Sequence, residues 1–457
     1  MQAPQQEGVP LPGAQWSYAT FDFDRSCTTG SRCHAFLVRS EMSWELFIML
    51  AQEKGSQEPQ TPISASFHIL SGMSRFQLLL QTGASLLITA LLVATVSAED
   101  SRESQIQQML ARVAAATEPG VAVLVRKDGK TLIQTGQGLR DLRSRAAINS
   151  YTNFRLASCT KQFTAMAIML LVHDGKLRYD QRLTDVFPEF PEYGRVITIR
   201  HLLNHTSGLP DYEELMDKAS AAKVPRWTES HQITDSEVLK LLEAATSGRF
   251  SPGGHWSYSN SGYVMLGLIV AKVSGVSFPD FLRDRIFNPL KMNRSVAYVK
   301  GKNEVPNRAY GHSRENNAIV QTDQSPTSAT LGDGGIYSNL DDLAEWDEAL
   351  WRHKLLSEAE MQAALTPFHL AGGSLPLWDS GPGDTDPFAG GPVSYGFGWF
   401  LDPYKGHPRM WHYGETVGFK SSIQRFTQDK LTVIVLSNRA DVDAIGLAAK
   451  VADLYLK

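Results

Sequence analysis

Ser158 and Lys161 stand three residues apart in Phe154-Arg155-Leu156-Ala157-Ser158-Cys159-Thr160-Lys161-Gln162-Phe163, at the mouth of a helical pattern. On a helix that spacing puts both side chains on one face. A serine hydroxyl becomes a nucleophile once a base takes its proton. A lysine amine can be that base if burial or nearby charge lowers its pKa. Backbone N–H groups at the helix start would point at any oxyanion formed there. Taken alone, Ser-x-x-Lys is a weak signal, because a capped helix with a surface lysine reads equally well.

Two further stretches carry suitable side chains. In Phe250-Ser251-Pro252-Gly253-Gly254-His255-Trp256-Ser257-Tyr258-Ser259-Asn260-Ser261-Gly262-Tyr263, a loop runs through Tyr258 and Asn260 into a helix. A phenol is a usable base only beside a cation, and Lys161 would be that cation. Asn260 is suited to hold the lysine and a substrate amide. In Trp411-His412-Tyr413-Gly414-Glu415-Thr416-Val417-Gly418-Phe419, Gly414 would let a substrate lie close to the backbone. The Glu415 N–H would then be a second oxyanion donor, and His412 would face the pocket as a hydrogen-bond donor. In isolation, an aromatic loop and an ordinary strand histidine explain these stretches as well.

Taken together, Ser-x-x-Lys, Tyr-x-Asn about 100 residues later and His-x-Gly near the carboxy terminus resemble the serine β-lactamase and penicillin-binding-protein superfamily. The tyrosine form of the middle motif is that of the class C branch, which includes family VIII esterases, D-alanyl-D-alanine carboxypeptidases and D-aminopeptidases. His201-Leu202-Leu203-Asn204-His205-Thr206-Ser207-Gly208-Leu209-Pro210, Phe287-Asn288-Pro289-Leu290-Lys291-Met292 and Gly332-Asp333-Gly334-Gly335-Ile336-Tyr337-Ser338 look like the same branch. The resemblance covers roughly residues 104–457. It implies Ser158 as nucleophile, Lys161 and Tyr258 as a coupled base, and Asn260 as an orienting group. The N–H groups of Ser158 and Glu415 would form the oxyanion hole. The implied reaction is acylation of Ser158, then hydrolysis by a water activated at Tyr258. Substrates would be small esters, peptides or β-lactams. The β-lactamases proper usually carry lysine where this chain has His412, which is largely neutral at pH 7. Loss of that fixed charge should weaken binding of anionic β-lactams by about 1 kcal/mol or more. The expectation is therefore an exported hydrolase of esters or short D-amino-acid peptides. A class C-type β-lactamase and a non-catalytic penicillin-binding-like scaffold are the alternatives.

Other signals are negative. His201 and His205 are four apart on an expected helix, but no third ligand or His-Glu-x-x-His pattern accompanies them, so no metal is expected. No cofactor is implied either. Cys159 reads as packing, and Gly-x-Ser-x-Gly is absent. Composition is globular, at 42% hydrophobic and 20% charged, with a net charge of −4 and no block of like charge. That argues against a nucleic-acid partner. Three cysteines are too few for a disulfide scaffold.

The first hundred residues differ from the rest. Met73-Ser74-Arg75, an apolar run from Leu78 and the ending Val96-Ser97-Ala98 form a signal-peptide pattern over residues 73–98. Its apolar part, 76–98, is also just long enough to be a membrane anchor. Residues 1–72 show no sustained period and read as a disordered extension or a mis-called start. Removing residues 1–98 takes away 5 basic and 7 acidic groups and leaves 39 against 41.

Residues 99–457 must then position the chemistry. Helical patterns run over Ser104–Ala116, Lys161–His173, Tyr263–Val273, Asp341–Trp351 and about Val442–Tyr455. Val121–Val125 and Thr131–Thr135 read as a hairpin around Lys127-Asp128-Gly129-Lys130, and Ser421–Phe426 and Leu431–Leu436 as another. The expected fold is α/β of the α+β kind. An antiparallel sheet flanked by helices is built from both chain ends, with a mainly helical subdomain inserted at about 176–320. Stretches 213–232 and 372–391 read as loops that would set specificity.

Overall fold

The computed structural model describes residues 101–220, 226–380 and 388–457, with the backbone of residues 18–21, 33–40 and 43–50. The chain divides into two units, Met1–Ser85 and Leu86–Lys457. In the first, Tyr18–Phe21, Cys33–Ser40 and Ser43–Leu50 pair as an antiparallel meander, Tyr18 opposite Val38 and Cys33 opposite Leu50. The runs 36–38 and 46–48 are aromatic and branched apolar, and such residues suit a pleated strand even where no clean alternation marks it. The segment 73–98 lies outside the described residues. Among the described residues no single helix is long and apolar enough to cross a membrane.

The second unit is organised by five antiparallel strands: β1 (Val121–Lys127), β2 (Lys130–Gln137), β3 (Arg409–Thr416), β4 (Phe419–Phe426) and β5 (Leu431–Ser437). Their order is β3-β4-β5-β1-β2, so strands from the two ends of this unit meet where β5 pairs with β1. The main helices are α1 (101–113), α2 (Lys161–His173), α3 (Asn260–Ser274), α4 (Leu340–Trp351) and α5 (Ala444–Asp453). Side chains alternate across a strand, so Val121, Val123 and Val125 cover one face and Ala122 and Leu124 the other. The first face packs against Ile106 and Leu110 of α1 and Ala448 and Val451 of α5. The second joins a larger core with α2, α3 and α4. Because β1 is covered on both faces, it reads as an unbroken apolar run.

The helices between β2 and β3 have no separate core. Leu203, Val264 and Phe281 belong to the same apolar cluster as Ala122 and Leu124. Within the expected loop 213–232, the structure places a helix over Tyr212–Ala219, because the Asp211 carboxylate accepts the N–H groups of Glu213 and Glu214 at 2.8 and 3.1 Å. α3 starts three residues before the apolar pattern does, capped by Ser259 Oγ on Gly262 N–H at 3.0 Å. That early start brings Asn260 onto the helix.

Candidate active site

The site begins at a strained turn. Phe154–Arg155 pairs with Tyr337–Ser338, and Leu156 N–H continues that contact by donating to the Ile336 carbonyl at 2.8 Å. Ala157 then takes φ +48°, a left-handed conformation costing a non-glycine residue about 1 kcal/mol. The strain turns the chain into a 3₁₀ turn, Ala157–Thr160, which leads into α2. Ser158 sits in this turn and is only partly covered, whereas its neighbours Ala157 and Cys159 are buried.

Lys161, the first residue of α2, is fully buried. Its Nζ lies 3.0 Å from Ser158 Oγ, 2.9 Å from Asn260 Oδ1 and 3.0 Å from the Asp333 carbonyl oxygen. Burial lowers its pKa to about 8, against the opposing pull of Asp333. Tyr258 completes the group. Its ring centroid is 4.9 Å from Lys161 Nζ. Burial pushes this phenol well above 10, against the lowering influence of the nearby Ser158 hydroxyl. It is therefore a neutral hydroxyl at neutral pH.

His205 holds the Tyr258 loop. Its Nδ1 accepts the Ser259 N–H at 3.0 Å, and its carbonyl accepts the Ser257 N–H at 3.0 Å. The buried ring lies 4.4 Å from that of Tyr258 and 4.6 Å from that of Tyr395. His201 does something else: its Nδ1 accepts the Thr198 N–H in a helix cap. The pair thus serves two separate loops.

The third motif lies on β3, an edge strand. His412 is fully buried, and both ring nitrogens are engaged. Nδ1 donates to the Tyr413 carbonyl at 2.6 Å, and Nε2 accepts from Tyr395 Oη at 3.0 Å. Burial and the Lys161 charge bring its pKa down to about 3. His412 is therefore neutral, as its type suggests, but it offers the pocket no free donor. Gly414 has a structural reason beside the one expected. A Cβ there would run into the Leu156 carbonyl and Ser421 Oγ, and would lie 3.0 Å from Ser158 N. The glycine admits the turn that carries Ser158.

Glu415 N–H faces outward. Trp411 bonds Phe400 through both N–H and C=O, at 2.9 and 2.8 Å, on the side away from β4. Bonding sides alternate along an antiparallel strand, so Tyr413 and Glu415 turn the same way. The Glu415 side chain is pulled aside to Lys420, 2.5 Å away. Ser158 N–H and Glu415 N–H thus flank Gly414. Cys159 packs beneath, its thiol pushed up to about 12 by burial.

A model of the family described as Beta-lactamase matches residues 106–456. The chain belongs to the beta-lactamase family. It is similar to penicillin-binding protein 4* of Bacillus subtilis (strain 168), with 33% identity over 339 residues, 70% of this chain and 68% of that one. It is also similar to a D-aminopeptidase of Gluconobacter oxydans (strain 621H), with 24% identity over 72% of this chain and 58% of that one. Among solved structures it resembles an octameric penicillin-binding protein homologue from Pyrococcus abyssi. That match has TM-score 0.62 and 27% identity, covering 78% of this chain and 76% of the other. A D-amino acid amidase from Ochrobactrum anthropi SV3 shares the fold at TM-score 0.63 and 24% identity, over 78% and 98% of the two chains. The family places this chain among the serine hydrolases.

Within this beta-lactamase-family site, Ser158, Lys161, Tyr258 and Asn260 meet as the sequence implies. His205, Tyr395 and Asp333 were not singled out for the site. His205 and Asp333 lie inside the blocks that carry the resemblance, so that was the available signal. One wall is aromatic. Trp378 stacks on Tyr258 at 6.1 Å, and Phe388 stacks on Tyr413 at 5.8 Å. The hydrogen bond between His255 Nε2 and Asp379 Oδ1, 2.6 Å long, ties the Trp378 segment to the Tyr258 loop. A cavity of about 950 Å³ lies elsewhere, lined by Asp235, Leu268, Phe278, Tyr298 and Leu331.

Proposed function

We propose that the protein is an exported serine hydrolase. It forms an acyl-enzyme at Ser158 and hydrolyses carboxylic esters or short D-amino-acid peptides and amides. The Lys161 contacts carry this reading. Of the three groups around Nζ, the Asp333 carbonyl and the Asn260 amide oxygen can only accept. A neutral amine has two N–H donors and one lone pair. With the donors spent on those two oxygens, the lone pair faces Ser158 Oγ–H.

The proton of Ser158 then passes to Lys161 as Oγ attacks the substrate carbonyl carbon. The oxyanion lies between the N–H groups of Ser158 and Glu415. The Lys161 ammonium, through the neutral Tyr258 hydroxyl as relay, protonates the leaving alcohol or amine. Water then attacks the acyl-enzyme, its proton passing through the Tyr258 hydroxyl to Lys161, and Lys161 returns a proton to Ser158 Oγ as the acid leaves. The D-aminopeptidase and D-amino acid amidase relatives support the peptide and amide side of the substrate range.

The bonded, neutral His412 supports neutral acyl groups over anionic β-lactams, and the Trp378 wall supports apolar ones. Export rests on the 73–98 signal pattern, with 76–98 as an anchor if it is not cleaved.

The test compares p-nitrophenyl butyrate, nitrocefin and a D-Ala-D-Ala peptide side by side, with fluorophosphonate labelling of the wild type and Ser158→Ala. Labelling lost in Ser158→Ala and dominant ester or peptide turnover are expected. Dominant nitrocefin turnover would overturn the substrate assignment. Labelling that survives Ser158→Ala would overturn the nucleophile. Amino-terminal sequencing of cell fractions tests export.

A further inference from the structure

We infer that the buried carboxylate of Asp333 is a positioning residue that stabilises the Lys161 ammonium formed when Ser158 is deprotonated. The inference rests on the acyl-transfer reading above.

Asp333 is tied to the amine through its own backbone, since its carbonyl accepts from Lys161 Nζ at 3.0 Å. One turn along α2, Thr164 Oγ1 donates to the Gly332 carbonyl at 2.6 Å. The segment is thus stitched to the same face of α2 that presents the base. The Asp333 side chain is 7% exposed. Its Oδ2 accepts only a long bond, 3.4 Å, from Tyr212 Oη, and its Oδ1 has no hydrogen-bond partner.

A buried carboxylate so sparsely bonded is costly unless a cation lies near. The facing charged and titratable groups are Lys161 on α2, Tyr212 and Glu213 on the helix Tyr212–Ala219, Asp235 and the Tyr258 phenol. Lys161 is the cation of this set whose charge changes; Arg155, which donates to the Gly334 carbonyl at 3.3 Å, is a second buried cation close by and is permanently charged.

The other members register Asp333 as a neighbour. Burial and then Asp333 raise Asp235 to about 8, so Asp235 is a neutral carboxyl at pH 7. Asp333 also opposes the burial that lowers Lys161. In the resting site the amine is poised between its two forms. As the Ser158 proton arrives, charge appears on Nζ in a place that water cannot reach, and Asp333 is already there to meet it. No atom is transferred to Asp333; the proton moves from Ser158 Oγ to Lys161 Nζ and onward to the leaving group.

Two readouts on the full chain test this. The first is a pH titration of ¹³Cε-lysine resonances by NMR, with the Lys161 signal assigned by its loss in Lys161→Arg. It needs no turnover. The second is the pH dependence of fluorophosphonate labelling at Ser158. Asp333→Asn should lower the Lys161 midpoint by about half a pH unit or more, and the acid limb of labelling should move with it. Asp235→Asn should move both by less than Asp333→Asn does, because Asp235, at about 8, is only partly charged over the range in which Lys161 titrates. If Asp333→Asn fails to fold, Asp333→Ser replaces it.

An unmoved midpoint in the neutral Asp333 variant overturns the inference, even if labelling slows. An equal shift in Asp235→Asn overturns it too, by placing the charge on the other carboxyl. A wild type that titrates as described but never labels overturns the acyl-transfer reading instead, and with it the role given to the ammonium.

Discussion

Ser421 Oγ donates to the Leu156 carbonyl at 2.7 Å, so β4 reaches past the edge strand to grip the turn that carries Ser158. Gly414 is the gap through which it reaches. Gly414→Ala should push the turn off β3 and pull Ser158 N–H away from Glu415 N–H. A displacement near 1 Å at the reacting atoms costs on the order of 100-fold in rate. We expect that loss in kcat/KM for p-nitrophenyl butyrate, with a cooperative thermal melt retained. Wild-type turnover in the alanine variant would show that the turn does not depend on this contact.

His205 sets the Tyr258 loop through one acceptor nitrogen. His205→Leu removes the acceptor for the Ser259 N–H and strands a buried donor, a cost of about 1–3 kcal/mol. The expected result is roughly a tenfold or greater fall in kcat with a smaller change in KM. His205→Asn keeps an acceptor near the same place and should recover part of it. Equal losses in the two variants would mean that ring packing, not the hydrogen bond, positions Tyr258.

His412 makes stability depend on acid. Its folded pKa is about 3, against an ordinary value near 6.5. Between those values the unfolded chain binds the proton and the folded chain does not. The contribution is therefore full above pH 6.5 and is lost as pH falls toward 3. His205, also held well below its ordinary value by burial, acts in the same direction. Urea midpoints measured from pH 7 to pH 4 should fall less steeply in His412→Gln than in wild type. Identical slopes would rule His412 out as a source of acid sensitivity.

Asp347 on α4 anchors the inner face of the sheet. Its carboxylate lies 3.0 Å from Arg126 Nε and 2.8 Å from Arg425 Nε, and it accepts Thr432 Oγ1 at 2.8 Å. Asp347 and Arg425 are nearly inaccessible, at 2% and 4% of side-chain exposure. Asp347→Ala leaves buried guanidinium charge uncompensated and should cost about 3–5 kcal/mol in urea unfolding. Adding Arg425→Met should restore part of that. A double variant no more stable than the single one would assign the loss to packing.

Much of this molecule was legible from residue type and spacing, because local rules govern those parts. The apolar run Val121–Val125 signals a strand covered on both faces. Asp128-Gly129 signals a hairpin, and both residues take positive φ, 50° and 77°. The helix patterns were found to within a few residues. Ser158, Lys161, Tyr258 and Asn260 were named from motif order alone. The meander within residues 18–50 and the helix Tyr212–Ala219 were not, because neither carries a strong period.

What required the tertiary structure was the state of each group. A histidine at position 412 implies neutrality, but only the fold spends both ring nitrogens, Nε2 on Tyr395 Oη and Nδ1 on the Tyr413 carbonyl. A tyrosine near a lysine suggests a coupled pair, but only burial holds the Tyr258 phenol well above its ordinary value and brings the Lys161 amine down to about 8. Gly414 reads as room for a substrate, and only the fold brings the Leu156 carbonyl against it. Sequence determines which functional groups the chain owns and roughly where along it they lie. Burial, and contacts between residues more than a hundred positions apart, decide which of those groups are charged, which are free, and which proton can move.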